Sequence, residues 1–419
     1  MMRLDPDAFP RYTDYDPLVP VWCVTPGEGR CIHRFFDTDP VSPSGRYLAV
    51  LRLPREDRLN RPGEAAQVVL IDLQTAEQRV VAETCGWETQ LGANLNWGPD
   101  DMLYYNQVDT ATWTPHAVRL DTKTGQMRRL EGGVYRISPD GRTILSAAPE
   151  RMRRTQYGYG VVLPDARVPR NRGLAEDDGL YATDTQTGER RLLVSIREVF
   201  ERAGIAERDY ASGECYGFHC KYNPQGDRLL FTMRAYRTDD PQPWNRIAQG
   251  LDFWVVTMRP DGSELAVAVG PDQWRKGGHH INWFPDGERL SMNLAIDGER
   301  RLDLAEVQAD GSGLRPITGL PGSGHPTVHP DGRHILTDTY EREPAAFGDG
   351  TVPLRWIDIQ AGTERTLVRV NVANPGTAVS SALRVDPHPA WTRDNRHIVF
   401  NGFVGGTRRV FIADLGSML

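Results

Sequence analysis

The sequence predicts an all-β fold: a single seven-bladed β-propeller with an inserted helical loop. Three observations lead to this prediction. A turn-and-strand unit occurs seven times, a hairpin unit alternates with it, and an N-terminal segment can complete the last repeat. A unit that recurs along the chain at intervals of about 40–50 residues is typical of propeller blades. We therefore assign residues 1–419 to one domain.

The first repeated unit is a tight turn that leads into a strand. It consists of Pro, a small or acidic residue, Gly, a charged residue and a short apolar run, as in SPDGRTILS and HPDGRHILT. Proline sets φ at the first corner, aspartate bonds its own backbone, and glycine or asparagine accepts a positive φ. The turns lie near residues 45, 101, 141, 226, 287, 332 and 395.

The second repeated unit is a hairpin, as in RLDTKTGQMRRL and ATDTQTGERRLL. A glycine turn between two apolar runs predicts two antiparallel strands. One turn unit and one hairpin together supply four strands, which make one blade. The longest interval, between Gly141 and Gly226, also needs an insertion, which we place at about 150–210. It contains LLVSIREVFERAG, an amphipathic segment that we place as a helix outside the blades.

The last repeat lacks a complete second hairpin, because the chain ends in the shortened form FIADLGSML. The N-terminal segment PVWCVT is expected to supply the missing outer strand. Such pairing closes the ring and removes the exposed sheet edges of an open array.

Composition and charge exclude several classes of function. The chain is 39% hydrophobic and 25% charged, as in ordinary globular proteins, and its net charge of −7 offers no general attraction to nucleic acid or anionic membranes. No apolar run is long enough for a transmembrane helix. We expect a cytoplasmic monomer or dimer, because the N-terminus is polar and acidic and the cysteines are odd in number and lack a CxxC motif. The cysteines are Cys23, Cys31, Cys85, Cys215 and Cys220.

Four histidines occupy the same position in four consecutive repeats. His219, His280, His325 and His388 each precede the Gly or Asn of their turn by seven residues. Equivalent positions in a propeller face the same place, and this one begins the innermost strand at the mouth of the central channel. We therefore expect the four imidazoles to converge. A repeated structural role, such as a bond to a backbone carbonyl, is the alternative.

The other repeats lack a histidine at this position, and the remaining histidines are not expected to belong to the converging group. The same position holds Asn94 in the second repeat and Val134 in the third, so the ring is not all histidine. The remaining histidines are expected on the surface or in the core (His116, His334, His397) or in loops (His279, His329).

The histidines of three neighbouring blades could share a divalent metal ion. Asp386 lies two residues before His388, and strand alternation puts both side chains on one side. His280, His325, Asp386 and His388 would then form a nitrogen and oxygen ligand set. His219 is one blade away, with Arg234 at the end of the next strand. A cation, an arginine and a free imidazole together favour an anionic substrate.

These motifs resemble those of the propeller polysaccharide lyases, namely oligogalacturonate lyase and the ulvan-type lyases. The resemblance is carried by CIHR, HCKYNPQG, HHINWFPDG, GHPTVHPDGRHILTDTY and DPHPAW, while the turns alone are shared with all TolB-like propellers. It implies cleavage of uronate-containing oligosaccharides or polysaccharides by β-elimination. A base removes the proton at C5, the oxygen at C4 leaves, and an unsaturated uronate forms.

The resemblance also implies roles for particular residues. SGHPTV and DPHPAW match the metal-binding segments of oligogalacturonate lyase, which puts His325 and His388 in the ligand set. Asp386 stands where that enzyme has a further histidine, and manganese, zinc and calcium are the candidate ions. His219 and Arg234 occupy the segment that holds a base and an arginine in the ulvan-type lyases. Tyr216 is the alternative base, with Tyr222 in reserve.

Several further residues are expected to bind substrate. The segment TQLGANLNW contributes Gln90 and Asn94, where the ulvan-type lyases would have a histidine, and CIHR contributes His33 and Arg34. In the insertion, RRTQYGYG is either a plain aromatic loop or an element that stacks on sugar rings and binds carboxylates. Its candidate residues are Arg154, Tyr157 and Tyr159.

Three other classes of function were compared with the lyase hypothesis. A non-catalytic, TolB-like propeller that binds a protein or carbohydrate partner is the main alternative, and it needs neither a metal nor converging histidines. A peptidase propeller is disfavoured because the sequence has no GxSxG motif and no hydrolase domain after the last blade. A glycoside hydrolase needs two facing carboxylates, and Asp386 alone does not provide them.

Overall fold

A computed structural model describes residues 2–206, 210–237, 251–298 and 301–419. Within these residues the strands form seven four-stranded antiparallel sheets. Their order along the chain is that of the seven predicted repeats, so the predicted seven-bladed propeller is confirmed. No helix in the described part of the chain has the length and apolar character needed to cross a membrane.

The strands of the first four blades follow each other along the chain. A short strand, β1 (Val21–Cys23), precedes the first blade and belongs to the last. The first blade consists of β2 (Cys31–Ile32), β3 (Tyr47–Arg52), β4 (Ala66–Asp72) and β5 (Gln78–Thr84). The second consists of β6 (Asn96–Trp97), β7 (Met102–Asp109), β8 (Thr114–Asp121) and β9 (Met127–Leu130). The third consists of β10 (Arg136–Ile137), β11 (Thr143–Ser146), β12 (Gly179–Asp184) and β13 (Arg190–Ser195), followed by helix α1 (Ile196–Arg202). The fourth consists of β14 (Glu214–Tyr222), β15 (Leu229–Tyr236), β16 (Leu251–Met258) and β17 (Ala266–Val269), followed by the single-turn helix α2 (Pro271–Trp274).

The remaining blades have the same plan. The fifth consists of β18 (Gly278–Trp283), β19 (Arg289–Leu294), β20 (Asp303–Gln308) and β21 (Arg315–Pro321). The sixth consists of β22 (Thr327–Val328), β23 (His334–Thr337), β24 (Thr351–Asp358) and β25 (Thr363–Asn371). The seventh contains β26 (Ala390–Trp391), β27 (His397–Val404) and β28 (Thr407–Asp414), and β1 is its outermost strand.

The two ends of the chain close the ring. Strand β1 pairs antiparallel with β28, with Val21 opposite Ala413 and Cys23 opposite Phe411. The expectation that PVWCVT completes the last blade is therefore confirmed. Apolar side chains from the seventh and first blades, such as Ile412 and Val50, share one buried cluster behind this strand. Burial of this apolar surface stabilises the closed ring.

The insertion predicted at 150–210 is wrong as one continuous segment. Strands β12 and β13 lie within it, because ATDTQTGERRLL forms a blade hairpin like the other hairpin units. The extra residues divide into 147–178, before β12, and 196–213, after β13. The second stretch begins with α1, where Ser195 and Glu198 form a capping box.

The first blade departs from the others at its innermost strand. Residues 33–38, HRFFDT, leave β2 and enter the middle of the ring before the chain returns at the bridge between Val41 and Leu48. We call this segment the channel plug. Phe35 and Phe36 in it are fully buried, with 0% and 1% of their surface exposed.

Candidate functional site

The four repeat histidines surround the ring of Phe35 in the centre of the propeller. The ring centroid of Phe35 lies 4.7 Å from His388, 5.6 Å from His325, 5.7 Å from His219 and 6.1 Å from His280. His280 and His325 are 3.9 Å apart, and His325 and His388 are 4.3 Å apart, measured between ring centroids. The structure thus brings together side chains that are up to 169 residues apart in the sequence (388 − 219).

Local backbone distortions turn these side chains toward the channel. The pairing register of β14 shifts between Gly217 and Cys220, on either side of His219, and that of β18 shifts around His280. Such bulges re-aim side chains at sheet edges and active sites. His280 and His388 also have positive φ angles of 57° and 49°. This conformation is costly for residues other than glycine and is concentrated at functional sites.

His325, Asp386 and His388 form a group that could hold a metal ion. One ligand atom from each lies within 4.8 Å of the others, and all three residues are buried. Nε2 of His388 lies 3.6 Å from Oδ2 of Asp386. Two imidazoles and a carboxylate are a donor set suited to zinc and to similar divalent ions.

The hydrogen-bonding pattern around this group leaves ring nitrogens available for a metal ion. Nε2 of His325 and both ring nitrogens of His388 are buried without a hydrogen-bond partner. Nδ1 of His325 lies 2.8 Å from Oδ1 of Asp338, so it donates to this carboxylate and leaves Nε2 as an acceptor. Metal-bound histidines are commonly held by a carboxylate in this way. Sequence reasoning missed Asp338, although it lies in the singled-out segment HILTDTY.

His280, predicted as a metal ligand, lies beside this group and not within it. Its Nδ1 is 2.7 Å from the carbonyl oxygen of Gly324, and its ring lies against that of His325. The hydrogen bond to this carbonyl occupies one ring nitrogen of His280. A bond to a backbone carbonyl is the structural role that was the alternative explanation for the repeated histidines. The hydroxyl of Tyr340 is 3.4 Å from His280.

A cavity of about 610 Å³ opens on the His219 and His280 side of the ring. The predicted residues that line it are His219, Arg234, Tyr157, Tyr159 and His280. Lining residues that sequence reasoning missed include Gln156, Phe253, Trp274, His279, Tyr340 and Arg384. His279 had been expected in a loop, but it belongs to β18. The described residues that line this cavity include no aspartate or glutamate.

Arg234 is a buried cation with only neutral partners. Its NH1 group donates to Oε1 of Gln156 at 2.8 Å and to Oγ1 of Thr155 at 3.4 Å, and its guanidinium lies 3.4 Å from the ring centroid of Phe218. Among the described residues it forms no ion pair. Burial lowers the pKa of Arg234 to about 9. An anion in the cavity would compensate this buried charge.

His219 is held as a neutral imidazole. Its ring stacks on Phe218 at 4.2 Å and on Tyr135 at 5.2 Å between centroids, and its Nε2 is buried without a hydrogen-bond partner. Burial, with the nearby charges of Lys221 and Arg234, holds the pKa of His219 well below its ordinary value. A neutral imidazole on the cavity wall can accept a proton.

The cavity meets the possible metal group through Arg384 and Tyr340. Nε of Arg384 donates to Oδ2 of Asp386 at 2.8 Å, so this second guanidinium is paired. Burial and the charge of Asp386 raise the pKa of Tyr340 well above its ordinary value, which keeps its hydroxyl protonated. Tyr340 ends the motif GHPTVHPDGRHILTDTY and Arg384 lies two residues before DPHPAW, but neither occupies a repeated position that could have marked it.

Tyr216, predicted as an alternative base, does not line the cavity. Its side chain is fully buried, and its hydroxyl donates to Glu214 and accepts from the backbone of Asn171 at 3.4 Å. Burial and the neighbouring Glu214 raise the pKa of Tyr216 well above its ordinary value. The role of Tyr216 as an alternative base stays a prediction; in this structure its hydroxyl is bonded to Glu214 and lies outside the cavity lining. Tyr222, held in reserve, lines a separate cavity at the turn side of the ring.

Arg34 and Asn94, predicted to bind substrate, belong to the interior of the channel. Arg34 donates from Nε to Oδ1 of Asn94 at 3.2 Å and from NH2 to the carbonyl of Tyr135 at 2.7 Å. Asn94 donates to Oε1 of Glu88 at 2.8 Å. Neither residue lines the cavity, and their polar groups are used to connect the first three blades.

Gln90, His33 and Arg154 are also buried away from the cavity lining. Gln90 donates to the carbonyl of Ala382 at 2.9 Å, and Arg154 donates to the carbonyl of Val168 at 2.6 Å. Burial lowers the pKa of His33 to about 4. These three residues lie outside the cavity lining, and their contact with substrate stays a prediction.

The comparisons with known proteins agree with this architecture. No family model matches the chain, and no curated protein matches it. Among solved structures, an oligogalacturonate lyase in complex with manganese matches with a TM-score of 0.64 at 17% identity, over 98% of this chain and 96% of that chain. The chain has the fold of oligogalacturonate lyase.

A second such structure, the oligogalacturonate lyase of Vibrio parahaemolyticus, matches with a TM-score of 0.65 at 16% identity, over 98% of this chain and 97% of that one. A TolB-like protein from Agrobacterium tumefaciens is also similar, with a TM-score of 0.41 at 16% identity over 84% of this chain and 98% of that chain. The expected resemblance to oligogalacturonate lyase is confirmed for the fold.

Proposed function

We propose that this protein is a lyase that cleaves uronate-containing oligosaccharides or polysaccharides by β-elimination. One observation carries the proposal. A cavity lined by no described aspartate or glutamate contains an unpaired buried guanidinium, Arg234, together with a neutral imidazole, His219. This combination favours a substrate that brings a carboxylate and gives up a proton.

Arg234 has the properties needed to bind the uronate carboxylate. It has no ion pair among the described residues, and it is only 8% exposed. A carboxylate placed against this guanidinium makes charge-assisted hydrogen bonds in a site where little water screens them. The same contact stabilises the negative charge that develops on the carboxylate when the neighbouring C5 proton is removed.

His219 is the proposed base. Its neutral imidazole accepts the proton from C5, and the electron pair of the C5–H bond forms the double bond between C4 and C5. The bond from C4 to the glycosidic oxygen breaks with its electron pair, and the leaving oxygen takes a proton. Tyr340, which stays protonated and lines the cavity, is the proposed donor of that proton.

The chain also offers a place for a divalent cation. His325, Asp386 and His388 would hold it, with manganese, zinc and calcium as the candidate ions. A bound cation would supply positive charge beside the reacting carboxylate. The unpartnered nitrogens of His325 and His388 support this assignment, and the similar lyase structure that contains manganese is in agreement with it.

The absence of carboxylates among the described lining residues weighs against a glycoside hydrolase. That reaction uses two facing carboxyl groups, whereas the nearest candidate, Asp386, is bonded to Arg384. A non-catalytic binding propeller does not need an unpaired arginine beside a neutral histidine, although it predicts that no uronide is cleaved.

We also propose that the protein acts in the cytoplasm on short oligouronides. All five cysteines are free, as expected in a reducing compartment. Cell fractionation with a tagged chain tests the location, and recovery in the periplasm or medium would contradict it.

The function is tested by the absorbance of unsaturated uronates across a panel of oligouronides, with and without a chelator. We expect product from at least one uronide and its loss in His219→Ala. The matched control is His334→Ala, since His334 lies on β23 and bonds Asp331 away from the cavity. No product from any uronide, with the fold intact, would contradict the proposal and favour a binding protein.

A further inference from the structure

Phe35 is the shared neighbour of the four repeat histidines, which together we call the histidine ring. It comes from the first blade, whereas His219, His280, His325 and His388 come from the fourth to the seventh. All four imidazoles meet its ring edge to face, at interplanar angles of 68° to 79°. Among the described aromatic side chains, no other has ring contacts with all four.

The channel plug that carries Phe35 is anchored on several blades. Arg34 and Asp37 form an ion pair at 2.8 Å, and Lys221 of the fourth blade bonds the same carboxylate at 2.8 Å. The backbone N–H of His33 donates to Oδ1 of Asn401 in the seventh blade at 3.1 Å. These bonds on both sides of Phe35 fix its position relative to the blades that carry the histidines.

Hydrogen bonds to Gly324 and Asp338 orient His280 and His325, but His219 and His388 have buried ring nitrogens without partners. Both ring nitrogens of His388 are unpartnered, and so is Nε2 of His219. The orientation of these two rings therefore depends mainly on packing. Phe35 is the side chain against which both of them pack, at 4.7 Å and 5.7 Å between centroids.

Two cavities lie near the channel plug. The cavity with His219 lies on one side, and a second cavity of about 790 Å³, lined by Phe36, opens at the turn side of the ring. Removal of a buried phenyl ring leaves a void that the surrounding structure refills only in part. A void at this point would join the histidine ring to the second cavity and admit water.

We propose that Phe35 is a positioning residue, which holds the four imidazoles in their mutual arrangement and seals them from the opposite end of the channel. The inference concerns the geometry of the histidine ring and is independent of the reaction proposed above. It can therefore be tested without substrate.

The test is acylation of the metal-free full chain by diethyl pyrocarbonate, with rates measured at each histidine by mass spectrometry. This reagent modifies accessible neutral imidazoles. In Phe35→Ala we expect the rates at His325 and His388 to rise about tenfold or more, with His334 unchanged. Phe35→Leu, which leaves a smaller void, should give a smaller rise.

The matched control is Phe200→Ala, a void of the same size beside Tyr210 and Trp254, outside the channel. It should leave the rates at the four histidines unchanged. Titration with Mn²⁺ is a second readout, in which Phe35→Ala should bind more weakly than the wild type. If folded Phe35→Leu and Phe35→Ala both react like the wild type, Phe35 does not seal the ring and the proposal is wrong. An equal rise at every histidine in both variants would show general unfolding and would also contradict it.

Discussion

Asp338 connects two of the histidines from neighbouring blades. Its Oδ1 atom lies 2.8 Å from Nδ1 of His325, and its Oδ2 atom accepts the backbone N–H of His388 at 3.0 Å. One buried carboxylate thereby orients a ring in the sixth blade and the backbone of the seventh. Because it occupies Nδ1 of His325, Nε2 is left to face the possible metal group.

Asp338→Asn should weaken metal binding by about 10–100-fold, since the loss of such a supporting carboxylate typically has this effect. Titration of the protein with Mn²⁺ or Zn²⁺ against a competing chelator measures the change. Asp331→Asn is the control, because Asp331 pairs with His334 on the surface. Equal affinity in the wild type and Asp338→Asn would mean that this carboxylate does not support a metal site.

Arg234→Met should lower kcat/KM for the cleaved uronide by about 10²–10³-fold, the usual effect of removing a group that stabilises developing charge. The apolar side chain keeps much of the volume but cannot bind a carboxylate. Arg237→Met removes a half-exposed guanidinium outside the cavity lining; because its buried partner Asp252 keeps its ion pair with Arg275, kcat/KM should stay unchanged. Similar values for Arg234→Met and the wild type would remove Arg234 from the site.

Tyr340→Phe should affect catalysis, whereas Tyr216→Phe should affect stability. Tyr340 lines the cavity, so loss of its hydroxyl should reduce kcat by about 10²–10⁴-fold if it donates a proton. Tyr216 bonds the buried Glu214, so its loss should lower the free energy of unfolding by about 1–3 kcal/mol and leave kcat unchanged. Steady-state kinetics and urea unfolding measure the two effects, and the reverse pattern would favour Tyr216 as the base.

The pH dependence of kcat/KM should show an acid limb well below pH 6.5. A base acts only when deprotonated, and burial lowers the pKa of His219, so its imidazole remains neutral as the pH falls through the ordinary histidine range. Activity should decline only when the pH approaches the lowered pKa. The profile is measured with the metal concentration held constant, and a limb at or above pH 6.5 would contradict a buried neutral base.

Glu88 should make the protein less stable as the pH rises from about 4.5 to 8. Burial raises the pKa of Glu88 from 4.5 to about 8, so the folded state holds a proton that the unfolded state has lost in this range. Below pH 4.5 Glu88 is protonated in both the folded and the unfolded state, and its contribution to the free energy of unfolding is fully present. Glu88→Gln should therefore raise Tm relative to the wild type at pH 8 and change it little at pH 4.5. A constant difference at both pH values would contradict this.

Much of the architecture could be predicted from local patterns. The Pro-Asp-Gly turns and the Gly hairpins specify strands through short-range backbone preferences, and their number predicts the blades. The offset of seven residues also identified His219 and His388, because a repeated fold places equivalent residues around one axis. PVWCVT could be assigned to the last blade because the final repeat lacked one strand.

Other parts of the site could not be predicted. Phe35 lies three residues beyond β2 at no repeated offset from its turn, yet it reaches the centre of the ring because the channel plug replaces a short connection. Arg384 and Tyr340 come from loops whose paths depend on packing against other blades. Tyr216 and His219 are three residues apart on β14, and no repeated offset shows that the first is bonded to Glu214 whereas the second lines the cavity.

The seven blades, the closure of the ring and the convergence of the repeat histidines could be derived from the amino-acid sequence, because they follow from local turn chemistry and from symmetry. Which polar groups are satisfied by neighbours and which are left for a ligand depends on the folded arrangement of the blades and loops. Arg34 and Arg234 are both buried arginines, but the first is paired with Asp37 and the second has no ion pair among the described residues. Asp37 is only three residues from Arg34, whereas the neutral partners of Arg234, Thr155 and Gln156, come from a distant segment, and no local pattern records those contacts.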